Sequence, residues 1–460
     1  MKIVLTRPNF KADMVMPVIG LGYLSSFLKL NGIETRVIDG LAERCDIQEL
    51  VERIVAERPD AVGIHCFTCF YKEVIALSKA LKGRGIPCII GGPHPTFLPY
   101  RTLIDSGADY VVCGEGEKAL TALLKNGLIN NGIRGVYSPG DLKSEADPFM
   151  KAEVIENLDD IPFPDWEELD PCRYPRVPHG FLTRDHPVGR IMTTRGCPYH
   201  CVFCGSPKFY DSRLRYRSAE NVIGEIRYLM ERFKAREIHF FDDNLTFDKE
   251  HIMEICRLII KNGIKIRWCV PDGIRADRVD EEMLRAMKES GCYYVLLGIE
   301  SADPEMLKDM KKGETIEQMR RAIRLCDKAG INVGGTFIFG LPGETKNSID
   351  MTIRFARSEP LIKADFLILD VLPGSELWDR FSGKFEPDWD KGSYREPELI
   401  PEGLSREELL RARSEAFRRF YFRIRPRIFI KILRMLRPYH IKFIFKKILE
   451  YRPVRDLKNG

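Results

Sequence analysis

The sequence predicts an α/β fold in three parts: a doubly wound parallel sheet, an incomplete barrel of six βα repeats, and a basic helical C-terminal region. Three observations predict it. Short apolar, β-branched runs alternate with helical patterns through residues 2–125. Residues 126–188 lose that rhythm, and proline recurs at 139, 148, 162, 164, 171, 175, 178 and 187. The alternation then resumes at residue 190 for six repeats, too few for an eightfold barrel.

The first unit has strand-like runs at 2–5, 35–38, 61–65, 87–90 and 110–113, with helical patterns at 18–30, 47–57, 71–82, 102–106 and 118–125. Strands alternating with helices imply a parallel sheet, and such sheets take ligands at the carboxyl ends of their strands. Those ends are rich in Gly, Pro and polar residues: Pro8-Asn9, Asp39-Gly40, Gly91-Gly92-Pro93-His94-Pro95 and Gly114-Glu115-Gly116-Glu117. A short hairpin is expected near 135–137. In the second unit, strands are expected at 190–193, 237–241, 265–270, 293–298, 332–339 and 364–369, and helices at 219–233, 249–261, 281–290, 316–329 and 348–357. These patterns set domain limits at 1–140, a linker at 141–188, a barrel at 189–390 and a helical region at 391–460.

The chain has 460 residues, 44% hydrophobic and 30% charged, a composition that excludes wholesale disorder. No apolar run approaches the roughly 18 residues of a membrane-spanning helix. Met1-Lys2-Ile3-Val4-Leu5-Thr6 reads as a first strand, not a signal peptide, so a cytoplasmic location is expected. In that setting the thirteen cysteines are expected to be thiols or metal ligands. Most are scattered singly and suit small buried hydrophobes.

Cys197, Cys201 and Cys204 differ. They stand as C-x3-C-x2-C within Arg195-Gly196-Cys197-Pro198-Tyr199-His200-Cys201-Val202-Phe203-Cys204, after the first barrel strand. Three thiolates in one loop can hold three irons of a [4Fe–4S] cluster and leave the fourth open. The alternatives are a zinc site with a distant fourth ligand or a chance grouping. Cys66-Phe67-Thr68-Cys69, after the third strand, has redox-pair spacing, but two ordinary thiols in a loop are the expectation.

On that triplet the chain resembles the radical S-adenosylmethionine (SAM) superfamily. The resemblance implies that Cys197, Cys201 and Cys204 bind the cluster, that SAM chelates the open iron, and that its cleavage yields a 5′-deoxyadenosyl radical. Phe240-Phe241-Asp242-Asp243-Asn244 stands where the family contacts the methionine amine, although Asp242 and Asp243 depart from the common Gly-Glu form. Neighbouring strand residues point oppositely, so one of the two is expected to face the site, and either suits a capping role. Gly298-Ile299-Glu300-Ser301 is similar to the ribose motif, implying contacts from Glu300 and Ser301. Gly340-Leu341-Pro342-Gly343-Glu344-Thr345 resembles the adenine-side motif, and Tyr199 and Phe203 are candidate aromatic walls.

The first unit resembles the flavodoxin-like cobalamin-binding domain that precedes many radical SAM enzymes. The resemblance implies cobalamin contacts from Pro8, Asn9, Gly91, Gly92, His94, Gly114 and Glu115. The Asp-x-His-x-x-Gly motif for a lower axial histidine is absent: Asp39-Gly40-Leu41-Ala42-Glu43-Arg44 has neither its His nor its last Gly.

Residues 404–460 carry seventeen Lys/Arg against five Asp/Glu, a net of +12 that leaves the rest of this +5 chain at −7. Ser405-Arg406-Glu407-Glu408 resembles a capping box. From 418 to 447 there are eleven Lys/Arg and no acid, interleaved with Phe420, Phe429, Leu433 and Phe443. Contact with an anionic membrane, packing on the acidic body, and nucleic-acid binding compete for this surface, with nucleic acid the least favoured.

The two resemblances together imply a cobalamin-dependent radical SAM enzyme, with methyl transfer from methylcobalamin to an unactivated carbon as the expected reaction. The expected partners are a small-molecule substrate such as a lipid and an electron donor such as flavodoxin or ferredoxin. An oxidative cyclase or carbon–carbon bond-forming enzyme is the alternative. An RNA methylthiotransferase fits less well, because Cys66 and Cys69 supply two close thiols where three are needed. A cobalamin or redox sensor is the non-enzymatic alternative.

Overall fold

The computed structural model describes residues 1–12, 15–176, 183–385, 387–389, 395–423 and 425–441. Residues 442–460, which hold the end of the basic tail including Phe443, lie outside them.

The N-terminal strands are β1 (Lys2–Arg7), β2 (Glu34–Asp39), β3 (Ala61–His65), β4 (Cys88–Gly91), β5 (Tyr110–Val112) and β6 (Val136–Tyr137). Their order is β2-β1-β3-β4-β5-β6, parallel except for β6, which pairs antiparallel with β5. The order reverses between β1 and β3, which opens a crevice at the carboxyl edge. Helices Ile19–Leu30 and Gly116–Lys125 bury their apolar stripes in one core. Helices Ile47–Ala56 and Tyr71–Lys82 and residue Leu103 bury theirs in the core of the opposite face. Asp46 and Glu49 form a reciprocal capping box that starts the helix Ile47–Ala56.

The second sheet has β7 (Val188–Ile191), then β10 (Glu237–Phe240), β11 (Arg267–Ile274), β12 (Cys292–Glu300), β13 (Asn332–Phe339) and β14 (Lys363–Ile368). Between β7 and β10 lies a small antiparallel ribbon, β8 (Thr194–Arg195) with β9 (Arg215–Tyr216). The six main strands are all parallel and in sequential order. Same-handed crossovers put every helix on one face, which curls the sheet into an open (β/α)6 barrel. Glu237 closes the barrel's amino end. It accepts hydrogen bonds from Arg184 N (2.8 Å), Asp185 N (2.7 Å) and Tyr293 Oη (2.6 Å).

One hydrophobic core runs from the helix Ile19–Leu30 through Trp166 to Val222 and Ile226 of the barrel, so the two sheets share a packed interior. Trp166, on a one-turn helix (Trp166–Leu169), also donates its indole N–H to Glu225 (2.8 Å).

The structure departs from the sequence expectations in three places. Helices Pro93–Phe97 and Pro99–Ser106 replace the short pattern expected at 102–106, each started by a proline at its first position. β11 extends to Ile274 through two irregularities in its pairing with β12. The β8–β9 ribbon was not expected. Among the described residues no helix is long and apolar enough to cross a membrane.

Candidate active site

The cysteine loop leaves β8 through Gly196, whose φ of +104° puts its α-carbon hard against Arg213; an added Cβ would lie 2.0 Å from Arg213 O. Bonds from Val202 N to Met310 O (3.1 Å) and from Leu377 N to Val202 O (2.9 Å) fix the loop on the barrel. Cys197, Cys201 and Cys204 are half-buried free thiols. Burial raises all three pKa values, that of Cys204 to about 12, and Cys204 also feels the charge of the other two. Three grouped thiols with no disulfide fit a [4Fe–4S] cluster with one open iron. Lys312 and Arg275 partly offset the effect of burial on Cys201. They form a cationic wall beside the triplet that the sequence reading missed.

Asp242 and Asp243 divide their roles. Asp242 is 1% exposed, and its Oδ1 accepts from the backbone N and the hydroxyl of both Thr193 and Thr194, at 2.6–2.9 Å. It therefore holds the turn that leads into the cysteine loop. Asp243 faces the open mouth, accepts from Ser206 Oγ (2.8 Å) and raises the pKa of Cys197 and Cys204. Asn244 is 2% exposed, and neither amide atom has a hydrogen-bond partner among the described residues.

Glu300 closes β12 with φ +64°, a left-handed conformation that is costly for a non-glycine residue. Its carboxylate lies 3.5 Å from Lys312 Nζ and accepts weakly from Thr336 Oγ1 (3.4 Å). Ser301 is fully buried, and its hydroxyl accepts from Asp303 N (3.1 Å) and meets Thr352 Oγ1 (3.3 Å). It builds the following turn and is not turned toward the mouth. Gly340 N donates to Glu344, whose Oε1 is buried without a partner. Tyr199 stacks under Arg275, 3.6 Å from ring centre to guanidinium, and accepts from Arg278 Nε (2.8 Å). Phe203 packs against the apolar cluster of Val202, Met306 and Ile338.

Buried atoms with no hydrogen-bond partner among the described residues, Asp242 Oδ2, both amide atoms of Asn244, Thr246 Oγ1 and Glu344 Oε1, all follow the carboxyl ends of barrel strands. Each such atom costs about 1–3 kcal/mol unless a ligand satisfies it. A polar ligand with amine, carboxylate, ribose and base fits this set.

At the edge of the first sheet, Pro8 and Asn9 follow β1, and an added Cβ at Gly91 would meet only Val112, at 3.9 Å. Gly92, φ +116°, lies against Cys66 O, where a Cβ would come to 2.7 Å. His65 closes β3 with its Nε2 unpartnered, and burial pushes its pKa down to about 3. Phe67, 45% exposed, meets His65 edge-on at 4.8 Å, and Phe10 stacks on Phe70 at 4.6 Å. This aromatic floor, missed in the sequence, and the bare glycine edge fit a large flat macrocycle.

Two residues expected here are engaged elsewhere. His94 has no exposed surface; it stacks on Tyr71 at 3.9 Å, with Nδ1 3.1 Å from Thr68 Oγ1. The Glu115 carboxylate accepts from Arg195 Nη1 (2.5 Å) and from Arg215 of the barrel. Gly114 N donates to Thr96 Oγ1 (2.8 Å). Cys66 is buried and Cys69 exposed.

A barrel with a three-cysteine loop at its mouth, joined to a parallel sheet with a glycine-bearing carboxyl edge over an aromatic floor, suits an enzyme with two cofactor sites. A profile of the radical SAM superfamily matches residues 191–356, and one of the B12 binding domain matches residues 9–124. An uncharacterized methyltransferase of Pyrococcus horikoshii is 32% identical over 446 residues, covering 94% of both chains. The anaerobic magnesium-protoporphyrin IX monomethyl ester cyclase of Rubrivivax gelatinosus is 29% identical over 92% of this chain and 77% of its own. In fold, the chain is similar to the radical SAM methyltransferase TsrM of Kitasatospora setae, solved with tryptophan and a SAM analogue (TM-score 0.69, 22% identity, 84% of this chain and 77% of that one). The chain belongs to the radical SAM superfamily and is one of its members with a B12 binding domain. Its cofactors are a [4Fe–4S] cluster, SAM and cobalamin.

Proposed function

We propose that this enzyme transfers a methyl group to an unactivated carbon of a small molecule. The observation that carries the reading is the buried ion pairing of Arg195, two residues before Cys197, with Glu115 and Glu117, which follow β5. It ties the cysteine loop to the edge proposed for cobalamin, so substrate between them is within reach of both.

When bound, SAM and the cluster supply a hydrogen-abstracting radical and cobalamin supplies the methyl group. In this reading residues 1–140 carry cobalamin on Pro8, Asn9, Gly91, Gly92 and Gly114, and residues 189–390 carry the cluster on Cys197, Cys201 and Cys204. Asp243, Asn244 and Glu300 orient SAM, while Lys312 and Arg275 draw its carboxylate toward the triplet. Tyr199, held by two arginines, and Phe203 wall the site against water. A flavodoxin- or ferredoxin-class donor reduces the cluster.

A cytoplasmic location suits an enzyme with thirteen cysteines and no disulfide among its described residues. Phe422 (82% exposed), Phe429 (61%) and Leu433 (50%) stand beside Arg427 and Arg434, a surface suited to anionic lipid. That supports a peripheral membrane contact and a hydrophobic substrate. The similarity to the cyclase keeps oxidative cyclisation as the second reading.

The test is turnover with SAM carrying a deuterated methyl group, using mass spectrometry. Methyl transfer predicts labelled product, with S-adenosylhomocysteine and 5′-deoxyadenosine formed together. 5′-Deoxyadenosine with an unlabelled, dehydrogenated product would establish the cyclase reading instead.

A further inference from the structure

The first unit holds the cysteine loop at both ends. Before Cys197, Arg195 pairs with Glu115 and Glu117. After Cys204 the hold is steric, and Phe97, the last residue of the helix Pro93–Phe97, makes it. An added Cβ at Gly374, in the turn that follows β14, would lie 2.4 Å from the Phe97 ring. One at Gly205, next to Cys204, would lie 3.6 Å from the same ring. The ring therefore fills the place where a side chain at Gly374 would stand. Phe97 also meets Phe209 at 6.3 Å between ring centres, with the planes at 70°.

Both walls of this notch belong to the cluster site. Gly374, φ +86°, turns the chain into the helix Glu376–Phe381, which Ser375 caps by accepting from Trp378 N (3.0 Å). Leu377 of that helix holds the cysteine loop at Val202. On the other side, Phe97 follows Thr96, which has no exposed surface and joins two glycines of the first sheet's carboxyl edge. Thr96 Oγ1 donates to Gly92 O (2.8 Å) and accepts from Gly114 N (2.8 Å). His94 of the same helix donates its backbone N–H to Cys66 O (3.3 Å) and stacks on Tyr71. One turn of helix thus runs from Gly92 and Gly114 to Gly205 and Gly374. Close-packed groups have little free volume, so a shift at one end of such a contact moves the other.

We propose that Phe97 is a positioning residue that sets the spacing between the cobalamin edge and the cluster loop, and with it the width of the gap that the substrate occupies. It acts through Gly374 and Gly205 and not on the reacting atoms. The assignment rests on the reading above, in which substrate lies between the two cofactors. Misplacing reacting groups by about 1 Å can cost about a hundredfold in rate, so such a spacer has a direct bearing on turnover.

The experiment is electron paramagnetic resonance on the full-length protein carrying cluster and cobalamin, with no organic substrate added. A reduced, paramagnetic cluster speeds the relaxation of nearby cob(II)alamin, and this enhancement falls steeply with distance. The wild type is expected to show a single enhancement when the cluster is reduced. Gly374→Ala puts a methyl group where the ring stands and pushes Phe97 outward, so the enhancement is expected to fall severalfold with iron and corrin contents unchanged. Phe97→Leu added to Gly374→Ala makes room for that methyl and is expected to restore most of the enhancement, whereas two merely destabilising changes would add. No enhancement in the wild type, an unchanged one in Gly374→Ala, or no rescue in the double variant would overturn the proposal. Should Gly374→Ala not fold, Phe97→Ala decides: it is expected to spread the enhancement over many values, and a wild-type relaxation curve would overturn the proposal. An enzyme that shows the rescue but yields no labelled product in the methyl-transfer test would break the reading of function and leave the spacer standing.

Discussion

Arg195 reaches Glu115 at 2.5 Å and Glu117 at 2.8 Å, and all three side chains are at most 9% exposed. The bond crosses from the cysteine loop to the B12 binding domain, 80 residues earlier in sequence. Arg215 reaches the same Glu115 from the neighbouring strand. A buried carboxylate shared by two guanidiniums fixes an angle between two surfaces more firmly than apolar contact would.

Glu115→Ala leaves two buried cations facing one remaining acid. Breaking such a pair costs about 3–5 kcal/mol. Melting of the purified protein is expected to move several degrees down, with iron and corrin contents falling together. Glu115→Ala with unchanged melting and full corrin would show that the network does not join the units.

The three thiols make separable predictions. Cys204→Ala is expected to lose most of the iron and all 5′-deoxyadenosine formation. Corrin binding is expected to persist, because the proposed cobalamin edge lies on the other sheet. Iron by colorimetry and corrin by visible absorption, read on one sample, check both.

Lys312 is 6% exposed and sits between Glu300 (3.5 Å), Glu314 (3.4 Å) and Cys201, whose thiol it acts on. Lys312→Met is expected to weaken SAM binding about tenfold or more, measured by equilibrium dialysis, with cobalamin affinity unchanged. Equal loss of both ligands would mark a folding defect.

Glu344 offers a pH signature. Burial raises its pKa from 4.5 to about 8, against the lowering effect of the Gly340 and Leu341 amides. The folded state thus binds this proton more tightly than the unfolded state. Its stabilising contribution is full below about pH 4.5 and is lost as pH rises toward 8. Glu344→Gln mimics the protonated form, so its melting temperature is expected to exceed that of the wild type by several degrees at pH 8 and to match it near pH 5. Parallel curves would contradict the assignment.

The exposed face of the helix Pro426–Met435 predicts vesicle binding. Phe429→Ser with Leu433→Ser is expected to cut sedimentation with anionic vesicles severalfold and to leave SAM cleavage unchanged. No sedimentation of the wild type would remove the membrane contact.

Much of this architecture was legible locally. β1, β3 and β13 are continuous apolar runs with no competing helical period, and Ser405 with Glu408 announces the helix Arg406–Tyr421. The C-x3-C-x2-C spacing is a local pattern too. β11 was read short because Pro271-Asp272-Gly273 looks like a strand end, yet the chain continues through irregular pairing to Ile274. Ser301 resembled a ligand contact because its motif says nothing about Thr352, 51 residues away, which turns the hydroxyl inward. Arg195–Glu115 and Lys312–Glu300 depend on which charges meet across the fold, and no local period encodes that.

Cofactor stoichiometry after anaerobic reconstitution and gel filtration tests the central claim most directly. The two-site account predicts about one corrin and about four irons per chain in the same peak. Full iron with no retained corrin would contradict it and leave a radical SAM enzyme that works without cobalamin.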